Sequence, residues 1–129
     1  MAAPELVTDP EPGTEAGARA FVASFMQARM ARDDHRARTQ LSAIARDQFE
    51  KGEGGLTLTG TTGSGFAGWE LVSISSADAS SFEARVKVRE APVRGRRGPA
   101  FEETLFVGPG PDVEGIQRPW VIRGALRGN

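Results

Sequence analysis

Residues 14–32 read TEAGARAFVASFMQARMAR, and their spacing decides the fold. Apolar side chains fall at Ala18, Phe21, Val22, Phe25 and Ala28, the i, i+3, i+4, i+7 spacing of one helix face. Met26 and Met30 flank that stripe. Thr14 stands where an N-cap hydroxyl accepts from a free amide of the first turn, and Glu15 follows where the helix dipole favours negative charge. No other stretch carries so long a helical signal. Downstream the apolar period changes from 3.6 to 2, and strands need a face to pack on; this helix supplies it.

Working outward, Asp33 and Asp34 break the pattern and cap a short second helix over 35–40. Ser42 caps a third over 43–51, with Ile44, Ala45 and Phe49 expected to turn inward and the glycines from Gly52 ending it. A short strand is expected at 56–59 and a glycine-rich loop at 60–68, followed by a strand at 69–75 with Trp69 and Leu71 on one face. Residues 82–90 alternate: Phe82, Ala84, Val86 and Val88 face one way, Glu83, Arg85, Lys87 and Arg89 the other. That pattern puts one face on a core and one in water. A hairpin connection at 92–99 leads to a strand at 101–107 with Phe101, Glu103, Leu105 and Val107 on one face. A loop at 109–119 precedes the last strand, 120–126, expected to bury Trp120, Ile122 and Leu126. Helices first and strands after, in one small domain, give an α+β architecture: three N-terminal helices packed on an antiparallel sheet of four to six strands. Upstream of the domain at 14–129, residues 1–13 hold three prolines and three acids, the composition of a flexible linker or tail.

The totals remove several function classes. A chain of 129 residues is one ordinary domain, and 39% hydrophobic with 26% charged residues is the composition of a soluble globular protein. A formal net charge of −1 sets up no overall field toward nucleic acid or an anionic membrane. Without cysteine there are no disulfides, thiol nucleophiles or thiolate metal sites. One histidine without cysteine makes a poor zinc set, so neither metal nor cofactor is expected. No apolar run approaches the ~18 residues of a membrane span, and the N-terminus lacks a signal peptide's basic region and apolar core. An extracytoplasmic location would require a signal or anchor upstream of this chain.

The long helix through Phe21-Val22-Ala23-Ser24-Phe25, the Leu41-Ser42 join, Trp69-Glu70-Leu71-Val72, the charged strand around Val86-Lys87-Val88, Glu102-Glu103-Thr104-Leu105 and Trp120-Val121-Ile122 form a recognisable set. Together, over about residues 14–128, they resemble the nuclear-transport-factor-two-like superfamily. The resemblance implies a curved sheet, a cone-shaped fold and ligand chemistry at the cone's open end. The superfamily spans isomerases, dehydratases, hydrolases, transport factors and non-enzymatic bacterial envelope domains, so fold alone does not choose among them. Its ketosteroid isomerase branch pairs a base carboxylate with a tyrosine donor, and this chain has no tyrosine. Its dehydratase-like branch leans on histidines; the lone His35 stands at a helix boundary among Asp33, Asp34, Arg36 and Arg38, the setting of a solvated residue.

Glu103 is the candidate general acid or base, because alternation puts it on an apolar face. A one-residue slip would put Glu102 and Thr104 there instead. Phe25, Phe49, Trp69, Phe101 and Trp120 are candidates to line a site for a small apolar ligand, or else core. Glu83, Arg85, Lys87 and Arg89 form the candidate interface, and the resemblance implies a homodimer through that sheet face. Arg94, Arg96 and Arg97 make the one dense positive patch, with no aromatic partners for base stacking. Glycines at 60–68 match no dinucleotide or phosphate-loop pattern and lead into a strand, not a helix. The expected function is therefore a non-enzymatic binding or interaction domain with a protein partner, as an accessory or sensory module of a bacterial envelope or secretion system. The alternatives are a small cone-pocket enzyme using Glu103 and, more weakly, a nucleic-acid accessory protein acting through the arginines.

Overall fold

A computed structural model of the chain describes residues 11–51 and 65–127. The strand expected at 56–59, residues 60–64 of the glycine-rich loop and residues 1–10 of the tail lie outside the described residues. The rest is α+β: three helices packed against a four-stranded open antiparallel sheet in the order β1-β2-β3-β4.

Each helix begins where a side chain satisfies its first free amides. In α1 (Glu15–Met30), Thr14 Oγ1 accepts from the Gly17 amide at 2.9 Å; in α2 (Asp34–Thr39), Asp33 Oδ1 accepts from Arg36 at 3.1 Å; in α3 (Ala43–Glu50), Ser42 Oγ accepts from Ala45 at 3.0 Å. Arg32, at φ 58, turns the chain into the left-handed region just past α1. The strands are β1 (Phe66–Ser76), β2 (Phe82–Glu90), β3 (Ala100–Pro111) and β4 (Gln117–Arg127).

Three local devices join the strands. Between β1 and β2, the Asp78 carboxylate accepts from the Ser80 and Ser81 amides, both at 3.0 Å. Between β2 and β3, Val93 and Arg96 exchange backbone hydrogen bonds around Arg94 and Gly95, at φ 53 and 76. Positive φ at both central residues is what a two-residue type I′ hairpin requires. Between β3 and β4, Asp112 Oδ1 accepts from the Glu114 and Ile116 amides, and its other oxygen meets Arg118 Nε at 2.9 Å.

The core lies between α1 and one face of the sheet. Phe21, Val22, Phe25 and Met26 of α1 pack with Val86, Val88, Leu105, Val107 and Ile122. The Trp120 ring lies 6.2 Å from that of Phe21 and 6.0 Å from that of Phe82.

Several expectations need correction. Ile44 does not turn inward; it is exposed, and α3 buries Ala45 with Phe49 half-buried. A helix of eight residues needs only a narrow stripe, and Ala45 and Phe49 supply it. Leu126 is also exposed. Val107 pairs with Ile122 but Phe106 pairs with Gly124, so Arg123 is an extra residue in β4. That bulge inverts the alternation, and Ala125 takes the inward place. β1 starts at Phe66, inside the stretch expected to be loop. The expected loop at 109–119 shrinks to Asp112–Ile116, because β3 runs through Pro109 to Pro111 and β4 begins at Gln117.

Candidate functional site

Glu103 points into the core, as alternation from Phe101 and Leu105 requires, and is buried there. On α1, Arg29 continues the apolar stripe, seven residues after Val22 and four after Phe25, so its side chain lands on the same interface. Arg29 Nη1 donates to Glu103 Oε1 at 2.7 Å and Nη2 to Oε2 at 3.2 Å, the two-pronged geometry a guanidinium and a carboxylate favour. Both side chains are buried, at 0% and 1% exposure. The guanidinium lies 4.7 Å from the Phe66 ring centroid and 5.6 Å from that of Phe25, and its Nη1 is 3.5 Å from Met26 Sδ. Each carboxylate oxygen of Glu103 thus already accepts a charge-assisted hydrogen bond. A second carboxylate, Glu90, is fully buried on the same face, in register with Phe66.

Sequence reading missed both Arg29 and Glu90. The signals were present: an arginine at a stripe position, and a glutamate continuing the inward row Phe82, Ala84, Val86, Val88.

The five apolar candidates do not converge. Phe25, Phe101 and Trp120 are buried, whereas Phe49 and Trp69 pack half-buried at the core's margin. Trp120 meets Phe21 and Phe82, Phe101 lies under Arg127 at 3.8 Å, and Phe49 under Arg38 at 5.4 Å. Among the described residues, no group of three His, Asp or Glu side chains stands close enough to hold a metal ion.

The outer sheet face carries the charged row. Glu83, Arg85 and Lys87 are exposed and Arg89 is half-buried. Arg85 Nη2 meets Glu102 Oε1 across the strand at 2.6 Å, and Arg89 Nη1 donates to the Gly98 carbonyl at 3.0 Å. A cavity of about 280 Å³ opens along β1 and β2, with Gly68, Trp69, Glu70, Lys87, Arg89 and Ala100 in its lining. Arg94, Arg96 and Arg97 are exposed at the hairpin tip, and His35 is exposed on α2. Two turn carboxylates are held below the ordinary carboxylate range: Asp112 chiefly by its bond to Arg118, and Asp78 chiefly by the Ser80 amide.

No family model, curated protein or solved structure matches the chain. Function has to be argued from its own residues. Among the described residues, no helix is long and apolar enough to cross a membrane.

Proposed function

We propose that the chain is a non-enzymatic binding or interaction domain of the nuclear-transport-factor-two-like kind. The observation that carries this is the Arg29–Glu103 pair. Glu103, the carboxylate singled out as acid or base, is already bonded through both oxygens and shut into the core. A general base needs an oxygen within hydrogen-bond reach of a substrate proton. Here that place is taken by an arginine of the protein itself. The cone shape and the setting in a bacterial envelope or secretion assembly follow from the resemblance of sequence pattern. The interaction surface in this reading is the outer sheet face, where Glu83, Arg85, Lys87 and Arg89 alternate with Glu70 and Glu102 on the flanking strands. Such mixed charges suit a second copy of the chain or a protein partner with a complementary pattern.

Turnover is the test. Purified protein is incubated with an activated ester, an enolisable ketone and a β-hydroxyacyl thioester. No conversion above the buffer rate is expected. Conversion that Glu103→Gln and Glu103→Asp both abolish, in protein with unchanged near-ultraviolet dichroism, would overturn the reading. Light scattering at high concentration then reports pairing: a dimer mass that falls to monomer in Lys87→Glu supports the sheet-face surface, and a monomeric wild type rejects self-association there.

A further inference from the structure

We infer that the cavity beside the β1 bulge is a binding site for a small monoanionic carboxylate, held by Arg89 and Lys87 on the outer face of the sheet. This deepens the binding-domain reading above and rests on it.

The site follows from strand register. Arg89 is opposite Gly68 on β1 and Ala100 on β3, so the central arginine of that row has a small residue on each side. A Cβ placed on Gly68 would meet nothing within 4 Å, so the space above it is open. The irregularity between Phe66 and Gly68 is where β1 departs from even pairing, and bulges of this kind re-aim the chain beside functional sites. The result is a notch with a glycine floor and the half-buried guanidinium of Arg89 across it.

That guanidinium is held before any ligand arrives. One N–H bonds to the Gly98 carbonyl at 3.0 Å, which fixes the group and leaves further donors. Gly98 is itself buried against the Glu90 and Ala91 carbonyls, so the anchor cannot easily give way. Two residues earlier on the same face, Lys87 lies between Glu70 and Glu102 in register, but Glu102 is committed to Arg85 at 2.6 Å. Among the described residues no ion pair claims the Lys87 ammonium. Two cations on one face, one of them fixed and partly desolvated, recognise an oxyanion.

Two features narrow the class. Glu70 is in the lining, and its negative charge opposes a dianion such as phosphate while tolerating a single carboxylate. A volume of about 280 Å³ lies just below the usual range of ligand pockets, roughly 300–1,000 Å³, and so admits only a small ligand.

The experiment is a titration of the ¹⁵N-labelled full chain with benzoate, followed by backbone amide signals, with chloride and inorganic phosphate as comparison probes. The expected result is saturable shifts at the amides of Gly68, Glu70, Lys87 and Arg89. Phosphate should bind at least tenfold more weakly and chloride should give no saturation. Arg89→Gln should weaken benzoate at least tenfold. Gly68→Val, which fills the notch with a good strand former, should abolish binding, and Arg97→Gln should leave it unchanged. Shifts confined to Arg94, Arg96 and Arg97, equal responses to chloride, or undiminished binding in Gly68→Val would each overturn the proposal. None of these touches Glu103, so a failed titration rejects the notch while the turnover assay judges the non-enzymatic reading separately.

Discussion

Replacing Arg29 with Met, or Glu103 with Leu, leaves the surviving partner in a site that excludes water. Its charge or polar group then lacks the two hydrogen bonds at 2.7 and 3.2 Å that had replaced hydration. Breaking a buried ion pair from one side costs about 3–5 kcal/mol. A domain of this size holds roughly 5–15 kcal/mol in total, so each single variant should lose about a fifth of its stability or more. The pair itself is a different matter. Arg29→Met with Glu103→Leu removes both desolvation penalties and returns apolar volume to an interface already lined by Phe25, Met26 and Phe66. Such replacements are neutral or stabilising by about 1–4 kcal/mol, so the double variant should unfold near the wild type or above it.

Urea unfolding at neutral pH reads this directly. With a slope of about 1–3 kcal/mol per molar, a loss of about 4 kcal/mol moves the midpoint down by roughly 1.3–4 M. The double variant should recover nearly all of that, giving a coupling energy of roughly 6–10 kcal/mol in magnitude, well beyond the scatter between independent sites. Two results would refute the reasoning: single variants costing less than about 1 kcal/mol, which would mean the pair is hydrated in solution, or a double variant whose loss is the sum of the singles.

The remaining predictions concern the turns, the α3 cap and the last strand. Ile122→Ala should cost about 2–5 kcal/mol, whereas Leu126→Lys should stay within about 0.5 kcal/mol, as the Arg123 bulge requires; chemical denaturation of both checks it. Gly98→Ala would drive a Cβ into the Glu90 and Ala91 carbonyl oxygens, so a fall of about 2 kcal/mol or more is expected in the same assay. Ser42→Ala removes the α3 cap at Ala45 and should cost about 1 kcal/mol, seen as a lower midpoint. Asp112 has a folded pKa below its unfolded one. Its stabilisation is therefore complete above the unfolded value and lost as pH falls through the folded value. Asp112→Asn should be less stable than wild type at pH 7, and the gap should close below about pH 4.

The elements were legible wherever one period ran unbroken. The α1 stripe and its Thr14 cap, the alternation of β2, and the inward placement of Phe101, Glu103 and Leu105 follow from spacing alone. The misreadings sit where a local event overrides a period. At Arg123 an extra residue inverts the faces of β4, and nothing in Trp-Val-Ile-Arg-Gly-Ala-Leu marks which residue will be left unpaired. Proline in 109–111 argued for a loop, yet β3 carries Pro109 and Pro111 near its end, where Gly108 and Gly110 still pair with β4. The notch was hidden for a related reason. Arg89 was visible as a surface charge, but only strand register shows that its two neighbours are Gly68 and Ala100.

Arg29 and Glu103 belong to one decision that neither shows alone. An arginine in an apolar stripe is a defect until a carboxylate faces it, and a glutamate in an apolar strand row is a defect until a cation does. Read separately, each invites a functional explanation; Glu103 in particular looks like a catalytic group. Read together, they fix how α1 lies on the sheet. A one-residue slip of β3 would turn Glu103 outward and bring Glu102 or Thr104 under the helix, leaving Arg29 buried without its carboxylate at a cost of about 3–5 kcal/mol. Sliding α1 by one residue would rotate Arg29 about 100° off the interface. An apolar pair at these positions would be at least as stable in the correct register, but it would penalise neither error so heavily. The pair is thus best explained as a register lock between helix and sheet.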